Sequence, residues 1–378
     1  MPSTKRNAGL RILIVGPHPE YAKRQRSMKL FAEWFYRACS EIGVVKVVRP
    51  SSIFLNRLTA DSRFAKWFGY VDQFVLFAVE LAGRQAFYDV VIVSDHSNAP
   101  MAALVPGRKM LVMVHDTIAI RQALGRLPGK PKAKFSGQLL QKAILAVLRR
   151  CSGLLTNPQP VPNELHDLGV DTPVRVVGCP FDSRRLHSLG TSELIDGRYV
   201  LHVGSDNYRK RKAELIEFWR EVEKRDSSLK LVLAGNTEPR TVELIKRFAL
   251  GSVVILNAVD DTALASLYRS CEALLVPSES EGFCIPVLEA IAFEKRVFTP
   301  TDVSFFTTVF GSAVEPCLDL HGKDVDFFVR CLAAGTSAEC LEQGQKILRH
   351  YSWDQFVERV VDAIRSRAPI STEARCSL

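Results

Sequence analysis

The sequence lacks the cysteine pattern of a disulfide framework or a zinc site. Its nine cysteines are odd in number and scattered along 378 residues, and no two of them form a C-x-x-C pair. Intramolecular disulfides are therefore not expected to hold this chain together. A reducing compartment is the simplest interpretation.

The chain also has no long apolar run. The short run at residues 12–15 follows a polar N-terminus and is too short for the apolar region of a signal peptide. The longest apolar stretches, such as residues 74–82, are interrupted by charge and fall far short of the roughly 20 residues that a membrane-spanning helix needs. We therefore expect a cytoplasmic protein, with peripheral contact to the inner face of the membrane as its one form of membrane association.

Acidic residues are scarce in the N-terminal half. Residues 1–190 hold 27 Lys and Arg against 13 Asp and Glu, whereas residues 191–378 hold 23 against 28. Residues 101–150 alone carry ten basic side chains and a single acid, Asp116. Such a field attracts nucleic acid, acidic lipid head groups or phosphorylated substrates, although a solvated basic face without a partner is an alternative. Nucleic acid is disfavoured, because the basic residues are not interleaved with aromatic residues in a recognised module.

Short apolar runs alternate with segments of helical periodicity throughout the chain. At 378 residues, two domains are expected. Runs that end in Gly or polar residues predict buried parallel strands, and the same order restarts near residue 199, so we predict two α/β domains. We assign residues 1–190 to the N-terminal domain, 191–350 to the C-terminal domain and 351–378 to a C-terminal helix and tail, with a linker over 178–197. Strands are predicted at 10–16, 44–48, 89–94, 109–114, 199–204, 229–235, 252–256 and 273–276, and helices at 24–42, 214–224, 239–249 and 261–270.

Polar residues follow several of the predicted strands. In open α/β sheets, ligands bind beyond the carboxyl ends of the strands, so candidate site residues are expected there. This rule selects residues 16–19, 95–96, 115–116, 204–212, 235–236 and 278–289.

The most informative of these segments is residues 277–290, PSESEGFCIPVLEA. Gly282 permits a tight turn, and the residues from Ile285 have helical spacing, so backbone N–H groups at a helix start would face phosphate or sugar oxygens. Glu281 and Glu289 lie eight residues apart, just over two helical turns. Their carboxylates are suited to accept hydrogen bonds from the hydroxyl groups of a sugar and a ribose. As an alternative, Glu281 and Glu289 would show the same spacing if they were solvent-exposed acidic residues that bind no ligand.

Residues 277–290 resemble the donor-binding signature of the retaining glycosyltransferases of family 4, among the glycosyl transferases group 1. In that signature Pro-Ser, Glu-Gly-Phe-Gly, Pro and Glu-Ala occur in this order and spacing. The resemblance extends over residues 202–204, Arg209 and Lys210, residues 233–236 and residues 352–353. It implies an α/β protein of two facing Rossmann-like domains, the GT-B fold, with a C-terminal helix crossing back to the first domain. It also implies transfer of a mannose-like or glucose-like hexose, with retention, from a GDP- or UDP-linked sugar.

The resemblance implies roles for individual residues. Glu281 would position the sugar, Arg209 and Lys210 would stabilise the leaving diphosphate, and His115 would hydrogen-bond the transferred sugar while Asp116 fixes its tautomer. The donor-binding candidates are Gly204, Asn236, Val259, Gly282, Phe283, Cys284, Ile285 and Glu289, the last for the ribose. The acceptor-side candidates are Gly16, His18, His96 and Asp116.

Neither a metal site nor a cofactor is expected beyond the donor substrate. The only Asp-x-Asp sequence, Asp324 to Asp326, does not follow a predicted strand and is typical of a helix start. The resemblance further suggests a saccharide acceptor, lipid-linked, in surface polysaccharide or lipopolysaccharide synthesis. A basic run at 130–135 that leads into an amphipathic helix favours contact with an anionic membrane surface, although a core-facing helix with a basic edge fits almost as well.

Three departures from the family pattern leave the donor open. Cys284 stands in place of the second glycine of the signature, residues 294–296 replace the usual Gly-x-Pro, and the loop 301–311 lacks the Glu that often precedes its last glycine. A non-catalytic nucleotide- or polysaccharide-binding relative and a nucleotide-sugar epimerase of the same fold are therefore alternatives. Residues 209–212 have an alternative as well, since an exposed basic turn would have the same composition.

Overall fold

The computed structural model describes residues 9–19, 26–51, 65–127, 129–158, 160–322 and 324–366. Two compact units emerge from the contacts: Met1–Gly178 together with Phe356–Leu378, and Cys179–Gln355. Each unit holds one sheet of six strands, and every strand pair in both sheets is parallel. The predicted pair of α/β domains is confirmed.

The first unit is built on the sheet order β2-β1-β3-β4-β5-β6. Every residue of its central strands β3, β4 and β5 is buried, which explains why they are continuous apolar runs rather than alternating ones. The strands are β1 (Leu10–Val15), β2 (Gly43–Val48), β3 (Val90–Val93), β4 (Met110–Val114), β5 (Gly153–Thr156) and β6 (Val174–Val176). The helices are α1 (Arg26–Ser40), α2 (Ala65–Val71), α3 (Phe77–Arg84), α4 (Ile118–Ala123), α5 (Phe135–Leu148) and α6 (Val161–Asp167), with a π-helical turn at Asp72–Leu76 between α2 and α3.

The second unit has the sheet order β12-β11-β10-β7-β8-β9, so β7 lies between β10 and β8. Its strands are β7 (Tyr199–Val203), β8 (Lys230–Ala234), β9 (Val253–Leu256), β10 (Ala273–Leu275), β11 (Arg296–Pro300) and β12 (Glu315–Leu318). Its helices are α7 (Ser183–His187), α8 (Lys212–Arg225), α9 (Pro239–Arg247), α10 (Asp261–Ser270), α11 (Ile285–Ala292), α12 (Phe305–Phe310), α13 (Val325–Ala333) and α14 (Ala338–His350).

The last described helix, α15 (Trp353–Arg365), continues into the first unit. Its Phe356 ring lies 5.7 Å from Phe35 of α1, and Arg359 donates to the carbonyl oxygen of Val177 at 3.5 Å. The predicted return of the C-terminal helix to the first domain is therefore confirmed, and the last residues of the chain from 367 lie outside the described residues.

Some predicted boundaries differ from the structure. Residues 24–25 of the predicted helix 24–42 lie outside the described residues, and α1 ends at Ser40. The predicted linker contains α7, because Asp182 caps it by accepting hydrogen bonds from the N–H groups of Arg184 and Arg185. Asp324 accepts from the N–H of Phe327 at 2.9 Å, which confirms the predicted helix start there.

Among the helices of the described ranges, none combines the length and the apolar character needed to cross a bilayer.

Candidate functional site

An ion pair joins two loops at the carboxyl edge of the second sheet. Lys210 lies in the turn after β7, Glu281 lies in the loop after β10, and Nζ of Lys210 is 2.6 Å from Oε1 of Glu281. The two side chains are only 15% and 9% exposed. Burial alone would lower the pKa of Lys210, but the Glu281 carboxylate outweighs it and the pKa lies above its ordinary value. The Lys210 ammonium is therefore charged at neutral pH.

Residues 209–212 do not form an exposed basic turn. Lys212 is 1% exposed, and Nζ donates to the carbonyl oxygen of Asn236 at 3.0 Å and to Oγ1 of Thr237 at 3.3 Å. The carbonyl oxygen of Arg209 accepts from the N–H of Glu279 at 2.8 Å, while its guanidinium forms no salt bridge with any described residue. Lys212 lies in the segment 204–212 that the sequence selected, but it was not singled out there because its burial has no local sequence signal.

Two glycines close the ends of β7 and β8. Gly235 has φ +110°, and a Cβ there would lie 2.7 Å from the carbonyl oxygen of Gly204. Only glycine fits such a position, since the backbone of Gly204 after β7 leaves no room for a side chain. The carbonyl oxygen of Asn236 also accepts from the N–H of Asp206 at 2.9 Å, so this loop is held by both neighbouring segments. Val259 lies half-buried beyond β9, directly before α10.

Cys284 is the residue before α11 and has a left-handed backbone, with φ +70° and ψ +68°. This conformation costs an L-residue other than glycine about 1–2 kcal/mol, which explains why the resembling family has glycine here. The thiol is buried, and burial raises its pKa, so Cys284 is a neutral and unreactive group. Gly282, two residues before Cys284, is half-buried, and Ile285 directly after Cys284 is the first residue of α11.

Phe283 contributes to the interior of the second unit. Its buried ring makes edge-on contacts with Phe310 and Tyr351, at centroid distances of 6.1 and 4.7 Å. Any contact of Phe283 with a ligand therefore comes from its backbone.

Glu289 lies on α11, half-buried, and its Oε2 accepts from the hydroxyl of Tyr268 at 2.8 Å. Burial and the Glu289 carboxylate raise the pKa of Tyr268 well above its ordinary value, so the tyrosine remains a donor. This hydrogen bond orients the carboxylate.

His202 and Ser278 add two unsatisfied polar atoms to the same sheet edge. Nδ1 of His202 lies 3.0 Å from the carbonyl oxygen of Leu275, and burial lowers the pKa of His202 to about 3, so the imidazole is neutral. Within the described residues, neither Nε2 of His202 nor Oγ of Ser278 has a hydrogen-bond partner. Buried polar groups of this kind require a ligand or an ordered water.

In the first unit, His115 follows β4 and is buried. Its Nε2 lies 3.1 Å from the carbonyl oxygen of Ser94, which can only accept, so Nε2 carries the proton. Asp116 instead accepts from the N–H of Ile118 at 3.0 Å. The predicted role of Asp116 in fixing the tautomer is therefore wrong, because the Ser94 carbonyl has that role. Burial lowers the pKa of His115, and its ring is neutral at physiological pH.

The other acceptor-side candidates lie at the ends of β1 and β3. Gly16 donates to the carbonyl oxygen of Val48, and a Cβ on it would lie 3.1 Å from Nε of Arg49, so the glycine makes room for that arginine. His18 is buried. His96 is buried as well, 6.5 Å from His115 between ring centroids, with Nδ1 3.4 Å from Oδ1 of Asp95.

Sequence analysis missed three polar residues of this edge. Asn157 donates from Nδ2 to the carbonyl oxygen of His115 at 3.0 Å, whereas its Oδ1, Nδ2 of Asn98 and Oγ1 of Thr156 have no partner in the described part of the chain. Asn98 and Asn157 are both 6% exposed or less. Asn157 directly follows β5, which was not among the predicted strands, so the rule that selected His115 was not applied to it.

Within the residues that the structure describes, no group of three or more His, Cys, Asp or Glu side chains is placed to hold a metal ion.

Comparison with known proteins identifies part of the chain. Residues 192–316, about a third of the sequence, match the family model of the glycosyl transferases group 1. An uncharacterized glycosyltransferase of Methanocaldococcus jannaschii is 33% identical over 108 residues, which are 28% of this chain and 27% of that protein. The match therefore spans about a quarter of the curated relative. The family match lies within the second unit and overlaps the predicted resemblance, which is confirmed at the level of group 1.

Solved structures extend the likeness of fold over nearly the whole chain. Sucrose-phosphate synthase from Thermosynechococcus elongatus superimposes with a TM-score of 0.68 at 16% identity, covering 94% of this chain and 98% of that one. Anabaena HepE, in complex with UDP and glucose, superimposes with a TM-score of 0.66 at 12% identity, covering 94% and 100%. At these identities the likeness demonstrates the fold alone, and it confirms the predicted GT-B class of two Rossmann-like units.

Proposed function

We propose that this protein is a retaining glycosyltransferase of family 4, which transfers a mannose-like or glucose-like hexose from a nucleotide diphosphate sugar to a saccharide acceptor. The observation that carries the proposal is the buried Lys210–Glu281 pair at the carboxyl ends of β7 and β10, directly before the start of α11. The match of residues 192–316 to the glycosyl transferases group 1 supports it. UDP in the structure of Anabaena HepE supports a nucleotide-linked donor.

The donor assignment follows the charges of this edge. Arg209, Lys210 and the N-terminus of α11 are assigned to the diphosphate, because preorganised positive groups stabilise the charge that develops on a leaving phosphate. Glu281 accepts from hydroxyl groups of the sugar and Glu289 from the ribose, since a carboxylate has two oxygens that can each accept more than one hydrogen bond.

The reaction proceeds by displacement on one face of the sugar. The bond between the anomeric carbon and the diphosphate oxygen breaks with its electron pair remaining on that oxygen. The acceptor hydroxyl forms the new bond from the same face, and its proton passes to the departing phosphate. The protein's own groups then position the reactants and stabilise charge, so Glu281 is a positioning carboxylate rather than a nucleophile.

The first unit is assigned to the acceptor. The His115 ring is neutral, and its Nε2–H donates a hydrogen bond to the Ser94 carbonyl oxygen. Its Nδ1 is therefore an acceptor for a sugar hydroxyl. His18, His96, Gly16 and Asp116 lie at the same sheet edge, and a few placed polar groups of this kind suit a saccharide.

We further assign the acceptor to a lipid carrier at an anionic membrane surface, in surface polysaccharide or lipopolysaccharide synthesis. On α5, Phe135 is 82% and Leu139 is 60% exposed, and the exposed side chain of Lys142 lies one further turn along that face. Exposed Lys132 and Lys134 precede the helix. Apolar side chains with a basic rim are typical of proteins that bind the surface of an anionic bilayer.

A panel of UDP- and GDP-linked sugars tests the donor assignment. A ligand at 100 times its Kd stabilises a protein by about 2.7 kcal/mol, so the matching nucleotide sugar is expected to raise the Tm by several degrees, whereas free hexoses are not. Product analysis with an acceptor then separates the functions: a new glycoside indicates transfer, free nucleotide with an epimerised sugar indicates an epimerase, and stabilisation without any product indicates a binding protein. No stabilisation by any nucleotide sugar would contradict all three.

A further inference from the structure

Lys212 is a buried lysine whose ammonium contacts no carboxylate. It is the first residue of α8, 1% exposed, and its two recorded hydrogen bonds go to neutral oxygens of Asn236 and Thr237. Within the described ranges, Lys212 takes part in no salt bridge. A buried charge without a counter-ion is costly, and a protein that retains one usually binds an anion with it.

The neighbouring basic residues differ from Lys212 in this respect. Lys210 is paired with Glu281, and Arg211 contacts both carboxylate oxygens of Asp302 at 3.1 Å. Neither Arg209 nor Lys212 forms a salt bridge with a carboxylate of the described residues. They therefore add positive charge at this edge to that of Lys210, which the Glu281 carboxylate balances.

The position of Lys212 links its charge to the loop after β8. Its ammonium holds the carbonyl oxygen of Asn236, which also accepts from Asp206, and the hydroxyl of Thr237. An ammonium has three donors, and two are used by these bonds. The third donor has no hydrogen-bond partner among the described residues, and the ammonium lies beside the loops that follow β7 and β8.

We propose that Lys212, together with Arg209, supplies the positive charge that holds the diphosphate of a nucleotide at this sheet edge, while its hydrogen bonds fix the loop at 235–237. The proposal rests on the proposed function for the identity of the ligand, a nucleoside diphosphate group. Lys212 would thus be a binding and positioning residue that this chain adds to the predicted set.

The affinity for the nucleotide is expected to fall as the pH rises, because Lys212 then loses its charge. Burial lowers the pKa of Lys212 to about 8; Asp206 raises it and Lys210 lowers it further. A bound anion favours the ammonium form, so binding above pH 8 takes up a proton, and the affinity falls as pH rises from 7 to 8.5. The other groups of the edge do not titrate there, because the pKa of His202 is about 3, that of Lys210 lies above its ordinary value, and arginine stays protonated.

Calorimetry with UDP and GDP tests the proposal on the full chain without any substitution. Titrations at pH 8.5 in two buffers of different protonation enthalpy are expected to detect proton uptake, and the Kd at pH 8.5 is expected to be about threefold higher than at pH 7. This range stays below the pH at which the N3–H of uracil and the N1–H of guanine ionise. Nucleotide binding without proton uptake, and with the same Kd at both pH values, would overturn the role of Lys212.

Two variants separate charge from hydrogen bonding. Lys212→Met keeps the length of the side chain without its charge, and Lys212→Gln keeps an amide donor for the Asn236 carbonyl. Both are expected to bind UDP or GDP about tenfold more weakly at pH 7 and to lose the pH dependence. Lys224→Met on the same helix, whose lysine is exposed and paired with Glu221, is the matched control and should bind like wild type. If Lys212→Gln binds like wild type, Lys212 only fixes the loop; if wild type binds neither nucleotide, the proposed function itself fails.

Discussion

Glu281→Gln is expected to lower kcat by about 10²- to 10³-fold, the range found when one preorganised group is removed from a site that stabilises developing charge. Gln keeps the shape of the side chain, and its amide oxygen can still accept from Lys210, but it has no negative charge to pair with the largely buried ammonium 2.6 Å away. The variant therefore loses a sugar-positioning carboxylate and leaves a buried cation unpaired. Turnover of the matching nucleotide sugar with its acceptor, measured over a range of donor concentrations, checks this.

Glu243→Gln is the matched control, because the same chemical change then falls on an exposed carboxylate of α9 in the same unit. It should retain wild-type kcat and KM. Since Lys210 and Glu281 act as a pair, the double variant Lys210→Met/Glu281→Gln is expected to lose little more than either single variant. Near-normal turnover of Glu281→Gln would refute the role assigned to Glu281.

Phe135→Ser/Leu139→Ser is expected to abolish most binding to anionic vesicles. Burying one large apolar side chain contributes about 1.5–3 kcal/mol, so losing two weakens partitioning by more than about 10²-fold. Because these side chains are 82% and 60% exposed, the substitutions remove little packing within the protein. Sedimentation with vesicles of phosphatidylglycerol and of phosphatidylcholine measures the effect.

Leu194→Ser provides the control for the vesicle experiment, since Leu194 is also an exposed apolar residue, at 44%, but belongs to the second unit. Its binding should equal that of wild type. Equal and negligible binding of the wild-type protein to both kinds of vesicle would end the membrane proposal, while leaving the donor site untouched.

The strands and their carboxyl-edge residues were predictable from the sequence because their signals are local. A buried parallel strand is a continuous apolar run, so β3, β4, β7 and β8 stand out from their neighbours. Gly204 and Gly235 mark the ends of β7 and β8, and the structure explains the second by the close approach of the two strand ends.

The electrostatic pairing of the site was not predictable in this way. Lys210 and Glu281 lie 71 residues apart, and their contact depends on the sheet order that places β7 beside β10. Likewise, the four consecutive basic residues at 209–212 have different surroundings. Lys210 and Arg211 each form a salt bridge, Lys212 is buried among neutral oxygens, and Arg209 forms no salt bridge with a described residue. Such differences come from tertiary packing, which outweighs local composition.

Local signals were also present where the prediction failed. Asp182 is a favourable helix cap, and it begins α7 inside the segment interpreted as a linker. At Asp116, the adjacent His suggested a side-chain partner, but a short Asp so often bonds to the backbone N–H two residues ahead that Ile118 was the more favourable one.

Hydrogen–deuterium exchange with and without saturating UDP or GDP tests most directly whether the nucleotide binds at the carboxyl edge of the second sheet. With the nucleotide that binds, we expect slower exchange of the backbone amides in residues 204–212, 235–238 and 278–289. Exchange in strands β1 to β6 should not change. Protection confined to the first unit, at 94–98 and 115–117, with none in 204–212, would contradict it.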